Sequence, residues 1–177
     1  MEEASRLASP HLKTLKNPSL RTESLAALGV FGALTAGSAV LGARATNSRQ
    51  FWYRRLRKPP FQPPAWVFAP VWTALYGLMS ASAWRVWNRP AGPSRSWALA
   101  LWGLQLGFNA LWSPLFFRKH QPRAALVDIA ALGASLAAYT AVTSKVDKGA
   151  AWMMVPYLAW VGFASALNEE IVRRNPA

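Results

Sequence analysis

The chain has 177 residues, with 53% apolar types and a formal net charge of +13. Both facts fit one small domain only if the charge is segregated from the apolar sequence, and it is: Lys and Arg cluster between long uncharged runs. No cysteine is present, so disulfides, thiolate metal sites and cysteine nucleophiles are excluded.

Residues 1–24 read as a polar, mobile arm of mixed charge, with no apolar stretch of the kind a secretory signal needs. Residues 25–175 then read as a single transmembrane domain. Its five apolar runs are Leu25 to Ala43, Ala65 to Trp84, Ser96 to Phe117, Ala124 to Ser144 and Gly149 to Asn168. About 20 residues at roughly 1.5 Å each cover the roughly 30 Å hydrocarbon core. The runs lack period-two alternation, so the expected fold is all-α: a five-helix membrane bundle with a proline-rich loop between its first two helices.

Five spans put the termini on opposite sides. The N-terminal arm and the second and fourth connections carry nine Lys/Arg; the first and third connections and the C-terminus carry eleven. The positive-inside rule places the C-terminus and the 44–64 loop in the cytoplasm. Because the cations sit at the ends of membrane runs, their partner is the lipid bilayer rather than nucleic acid.

The first run carries a ladder of small residues, Gly29, Ala33 and Gly37. The loop after it contains Arg54, Arg55, Arg57 and Lys58, followed by Pro59, Pro60, Pro63 and Pro64. Prolines fix φ and stiffen such a loop, and Pro64 suits the start of the next helix. The cations read either as a lipid-headgroup anchor, with Trp52 and Tyr53 in the aromatic belt, or as a lid facing the acidic groups of an otherwise apolar ligand.

The second run begins Ala65-Trp66-Val67-Phe68-Ala69-Pro70-Val71-Trp72 and reaches Tyr76. Pro70 removes a backbone hydrogen bond and should kink or open the helix. Trp72 and Tyr76 share a face, with Phe68 and Ala69 one turn earlier. This stripe reads as packing or as a pocket wall. In the third run, mid-span Asn109 calls for a partner, either another helix or a ligand. Trp112 follows, and Gly103 with Gly107 forms a GxxxG suited to a dimer interface, although the ladder of the first run and that of the fourth (Ala130, Ala134, Ala138) compete for that role.

Asp128 is the lone carboxylate within a span, and interfacial capping or pairing with Arg123 is its expected role. His11, His120 and the other acids fall in tails or loops, so no paired-carboxylate site, triad or metal cluster is expected. In the fifth run Trp160, Ala164 and Leu167 recur on one face, a pattern that serves a slot for a flat molecule or ordinary packing.

Trp52-Tyr53, Lys58-Pro59, the Pro63–Tyr76 stretch, Asn109-x-x-Trp112-x-Pro114, Ala125-Leu126-Val127-Asp128 and Pro156–Asn168 occur together and in order. With these motifs the chain closely resembles the tryptophan-rich sensory protein family, also called translocator proteins or peripheral-type benzodiazepine receptors. The resemblance covers about Leu25 to Asn175. It implies a five-helix bundle, commonly a homodimer, in a bacterial cell membrane or an organelle membrane. It also implies a pocket beneath the first loop for tetrapyrroles such as protoporphyrin IX and for benzodiazepine- or isoquinoline-type ligands, with no cofactor required.

By that match Trp72 and Trp160 look like the pair associated with light- and oxygen-dependent porphyrin breakdown. Phe68, Ala69, Trp112, Ala164 and Leu167 match pocket-wall positions, Asn109 matches a position near them, and Trp66 and Tyr76 are among the aromatics around Pro70 on the same helix. The resemblance thus points to a porphyrin receptor or carrier acting in porphyrin handling and stress response. An enzyme-like porphyrin-degrading role and a structural, regulatory or sterol-transporting dimer are the alternatives. The C-terminal sterol pattern of animal members lacks its Tyr here, since Leu167 is followed by Asn168-Glu169-Glu170.

Overall fold

The computed structural model describes residues 18–176. Among these the chain forms α1 (Pro18–Ala45), α2 (Phe51–Arg55), α3 (Ala65–Trp87), α4 (Pro93–Ser113), a π-helical turn (Pro114–Arg118), α5 (Pro122–Val146), α6 (Lys148–Trp152) and α7 (Val155–Arg174). No strand occurs among the described residues. Three stretches, 21–45, 122–146 and 148–174, are long and apolar enough to cross a membrane by length and composition. α3 and α4 are comparably long but carry Trp, Tyr, Asn, Gln and Ser, which lower their mean hydropathy. Side chains such as Leu25, Val30, Leu41, Val127 and Trp152 stand exposed on the outside. Apolar exposure on that scale belongs to a surface that meets lipid.

Prolines set several helix boundaries. Pro64 immediately precedes α3, while Pro93 and Pro122 occupy first-turn positions where a missing N–H costs nothing. α1 begins at Pro18, about two turns before the expected start at Leu25. The polar arm expected over 1–24 therefore overlaps α1 at its end, and residues 1–17 lie outside the described residues.

Pro114 cannot donate to the carbonyl four residues back, and the third run passes there from α-helix into the π turn, closed by Lys119 N–H to Pro114 O at 3.0 Å. The fifth run does not form one helix. It breaks at Met153–Met154 into α6 and α7, because Pro156 has no N–H for the Trp152 carbonyl. α3, in contrast, continues through Pro70, which lies in its second turn and is exposed.

α4 packs along α5, α5 along α7, and α1 against both α3 and α4. α3 and α7 hardly meet backbone to backbone. Near the 88–92 turn, α6 and Asp147 tie α3 to α5. Ser82 donates to Ala150 O at 2.8 Å and lies 2.7 Å from the Tyr139 hydroxyl. The Asp147 carboxylate accepts from Arg85 (3.0 Å), from Arg89 (2.9 and 2.6 Å) and from the Ala150 N–H (3.0 Å). Burial pushes the Asp147 carboxyl up, but these hydrogen bonds prevail and hold it at about 2. Elsewhere, hydroxyls within the helices turn back to the carbonyl four residues earlier, as Thr35, Ser80, Thr140 and Ser165 do. That arrangement leaves few unmet donors in a lipid environment.

Candidate functional site

The space between α3 and α7 is filled by aromatic rings. Trp72 stacks on Tyr76 with centroids 5.2 Å apart and meets Tyr157 and Trp160 edge-on at 6.0 and 6.5 Å. Phe68 meets Trp160 at 5.8 Å, and Trp160 leans on Phe163 at 5.5 Å. The chain of rings ends at Phe61 of the proline-rich loop, 6.3 Å from Phe163. Helical spacing produces this set: Phe68, Trp72 and Tyr76 are four apart on α3, and Tyr157, Trp160 and Ala164 share a face of α7. Side chains rather than backbone close the gap. The Trp160 indole N–H is buried there without a hydrogen-bond partner. An unmet buried donor costs about 1–3 kcal/mol, and an acceptor on a ligand would recover it.

Below the rings lies a polar hub. Asn109 Oδ1 accepts from Ser38 and from the Tyr76 hydroxyl, each at 3.1 Å, and its amide donates to the Tyr157 hydroxyl at 2.9 Å. The mid-span amide thus joins α1, α3, α4 and α7, which is the inter-helix role left open by the sequence. Trp112 belongs to a second group. It stacks on Phe116 at 5.0 Å and donates to Asn168 Oδ1 at 3.1 Å, while Asn168 donates to Pro122 O at 2.8 Å.

The loop covers this end of the molecule through three attachments. Tyr53 and Trp52 pack on Phe117 and Phe116 of the π turn, with centroids at 5.2 and 5.8 Å. Asn175 clasps Arg57 reciprocally, accepting from its N–H at 2.9 Å and donating to its carbonyl at 3.1 Å. Phe61 supplies the third. The Lys58 ammonium lies 4.4 Å from the Tyr53 ring centroid, and the Arg55 guanidinium 4.5 Å from that of Phe51. Arg54, Arg55 and Arg57 are exposed, and none of the four cations is ion-paired among the described residues.

The residues singled out from sequence therefore divide. Phe68, Trp72, Tyr76 and Trp160 come together, and Ala164 packs against the same buried core as Trp72, Tyr76 and Trp160. Ala69 shares the Tyr76 face but is exposed, so the wall is open there, and Leu167 is partly buried further along α7. Trp66 stands apart. It is 75% exposed, because six residues of helix turn it roughly 120° away from Trp72. Gly103 and Gly107 lie on the outer face of α4, where an added Cβ would meet nothing within 4 Å.

Asp128 departs from its expected role. Both its oxygens are buried without a hydrogen bond, since it shares the inward face of α5 with Ala125 and Leu132 while Arg123, about 140° around the helix, is exposed. Phe61, Tyr157 and Phe163 were not anticipated as parts of the site. The three-residue spacing of Tyr157, Trp160 and Phe163 would have found two of them. Among the described residues no cluster of His, Asp and Glu could hold a metal ion.

The TspO/MBR family profile matches residues 25–174, which include the aromatic gap, the polar hub and the proline-rich loop. The chain belongs to the TspO/MBR family. It is 39% identical over 138 residues to the Translocator protein of Bos taurus, covering 76% of this chain and 82% of the relative. To the Tryptophan-rich sensory protein of Cereibacter sphaeroides it is 38% identical, covering 77% and 87%. To the Tryptophan-rich protein TspO of Archaeoglobus fulgidus it is 41% identical, covering 73% and 83%. Like other TspO/MBR proteins it is a membrane protein, and its helices are apolar enough for that role. Two surface recesses, of about 470 and 270 Å³, lie away from the ring-filled gap that its family motifs build.

Proposed function

We propose that the protein is a membrane receptor or carrier for tetrapyrroles, of which protoporphyrin IX is the reference ligand. Five helices cross the bilayer, the 44–64 loop and the C-terminus face the cytoplasm, and the chain works as a homodimer. The ligand enters between α3 and α7 under the loop, where apolar ligands of benzodiazepine or isoquinoline type also bind. The observation that carries this reading is the buried, partnerless Trp160 N–H set among rings in a gap where α3 and α7 hardly meet backbone to backbone. A flat apolar macrocycle suits the ring faces, and its two carboxylates suit the unpaired cations of the loop.

The test compares two ligands. Replacing Arg54, Arg55, Arg57 and Lys58 with Gln weakens protoporphyrin IX by about fivefold, from roughly 1 kcal/mol in all at an exposed site, and leaves an uncharged isoquinoline within about twofold. Equal losses for both ligands would reduce the loop to a lipid anchor. The Trp72–Trp160 contact at 6.5 Å favours a second reading, light- and oxygen-dependent breakdown of bound porphyrin at these two indoles.

A further inference from the structure

One helix of the bundle carries a buried polar seam that the aromatic gap does not use. On the inward side of α5, Asp128, Ser135, Tyr139 and Thr143 are each at most 7% exposed. At about 100° per residue they lie within roughly 80° of one another, and they extend over about 22 Å of the roughly 30 Å hydrocarbon core. Asp147, one turn beyond Thr143, closes that end on Arg85 and Arg89.

Gln105 joins the seam from α4. The two helices pack along each other, and Gln105 and Ser135 stand equally far in sequence from the 119–121 turn that joins them, so they come to about one level. Around α4, Gln105 falls between Trp112, which bonds Asn168, and Asn109, which bonds Tyr157, and therefore faces the middle of the bundle. It is fully buried, yet neither its Oε1 nor its Nε2 has a hydrogen-bond partner. The same holds for both Asp128 oxygens. Stranded polar groups at membrane depth are costly, and an ionisable one there marks a water, ion or proton pathway. Hydroxyls occupy the interval towards Asp147. Tyr139 lies 2.7 Å from Ser82 Oγ, and Ser135 Oγ, which donates to Leu132 O at 2.9 Å, can still accept.

We propose that this seam is a proton pathway through the bundle, in which water held by Asp128, Gln105, Ser135 and Thr143 passes protons along α5, with Asp128 as the group that binds one outright. Each hop makes one O–H bond and breaks another, so nothing is consumed and the proton gradient is the driving force. A metal cation fits the seam poorly, because one carboxylate supplies too few oxygens, whereas amides and hydroxyls both donate and accept. The titratable groups facing it are Tyr139 and, at the Asn109 hub, Tyr76 and Tyr157; the charged groups at its end are Asp147, Arg85 and Arg89. From residue 96 to 113, α4 contributes no ionisable side chain, and Arg123 is exposed on another side of α5. The seam uses none of Phe68, Trp72 and Trp160, so it stands or falls separately from tetrapyrrole binding.

The full-length protein is reconstituted into sealed vesicles containing a pH-sensitive dye, and a potassium gradient with valinomycin sets the membrane potential. Wild type moves protons faster than protein-free vesicles. Asp128→Asn lowers the protein-dependent flux at least about tenfold, since an amide cannot take up the proton, and Gln105→Leu, which cannot hold water, does the same. Arg123→Gln, on the outer side of the same helix, leaves the flux unchanged. Near-ultraviolet circular dichroism checks that each variant keeps the wild-type fold, and if Asp128→Asn does not, Gln105→Leu decides. Wild-type flux no greater than that of empty vesicles, full flux in folded Asp128→Asn or Gln105→Leu, or an equal loss in Arg123→Gln overturns the proposal.

Discussion

Asn109→Leu separates a wall-building role for this amide from direct ligand contact. Leucine matches asparagine in size but returns none of its hydrogen bonds. Ser38 keeps a partner, because its hydroxyl also lies 3.3 Å from the Leu106 carbonyl. The Tyr76 hydroxyl loses its acceptor, and the Tyr157 hydroxyl, on a fully buried residue, loses its donor. Two hydrogen bonds at about 0.6–1 kcal/mol each, plus about 1–2 kcal/mol for the stranded Tyr157 hydroxyl, give a destabilisation of about 2–4 kcal/mol. Reversible unfolding in mixed micelles with increasing SDS measures it. Porphyrin affinity, measured where both proteins remain folded, should change by less than about threefold, because both Asn109 polar atoms already serve the protein. Unchanged stability with a large loss of affinity would refute this reasoning and make Asn109 a ligand contact.

Other perturbations test separate parts of the structure. The Asp147 carboxyl, held at about 2 in the folded protein against an ordinary 3.8, contributes about 2 kcal/mol that is fully present above pH 4. That contribution disappears as pH falls from about 4 towards 2, and Asp147→Asn abolishes the dependence over this window; an unchanged pH profile would contradict the clamp. Asn175→Ala opens the clasp on Arg57, so hydrogen exchange of the Arg57 amide should accelerate about tenfold, and an unaltered rate would mean the loop is held elsewhere. If the indoles take part in porphyrin breakdown, Trp72→Phe and Trp160→Phe slow the loss of porphyrin absorbance under illumination in air; equal rates would remove the enzyme-like reading.

Sequence makes some parts of this protein legible and hides others for physical reasons. Apolar runs bounded by Arg and Lys locate the long helices, because hydrocarbon thickness sets their length. Four-residue spacing brings Phe68, Trp72 and Tyr76 onto one face, and the same geometry explains why Trp66 falls away from it. Pro156 foreshadows the break between α6 and α7, but the hydrophobic run conceals it, since apolarity continues across a helix break that helical hydrogen bonding does not. Partners distant in sequence are not legible. The Asn175–Arg57 clasp, the joining of four helices at Asn109 and the grip of Arg85 and Arg89 on Asp147 depend on how helices pack, which local periodicity does not encode. Asp128 illustrates the same limit, because the nearest cation in sequence is on the wrong side of the helix.

Titration of the purified protein with protoporphyrin IX, followed by tryptophan fluorescence, tests the central claim most directly. With Trp72 and Trp160 in the gap, the account predicts saturable quenching with one ligand per chain, competed by an isoquinoline-type ligand and reduced in amplitude by Trp160→Phe. Quenching that grows linearly without saturation, or that no apolar ligand displaces, would contradict a binding site between α3 and α7.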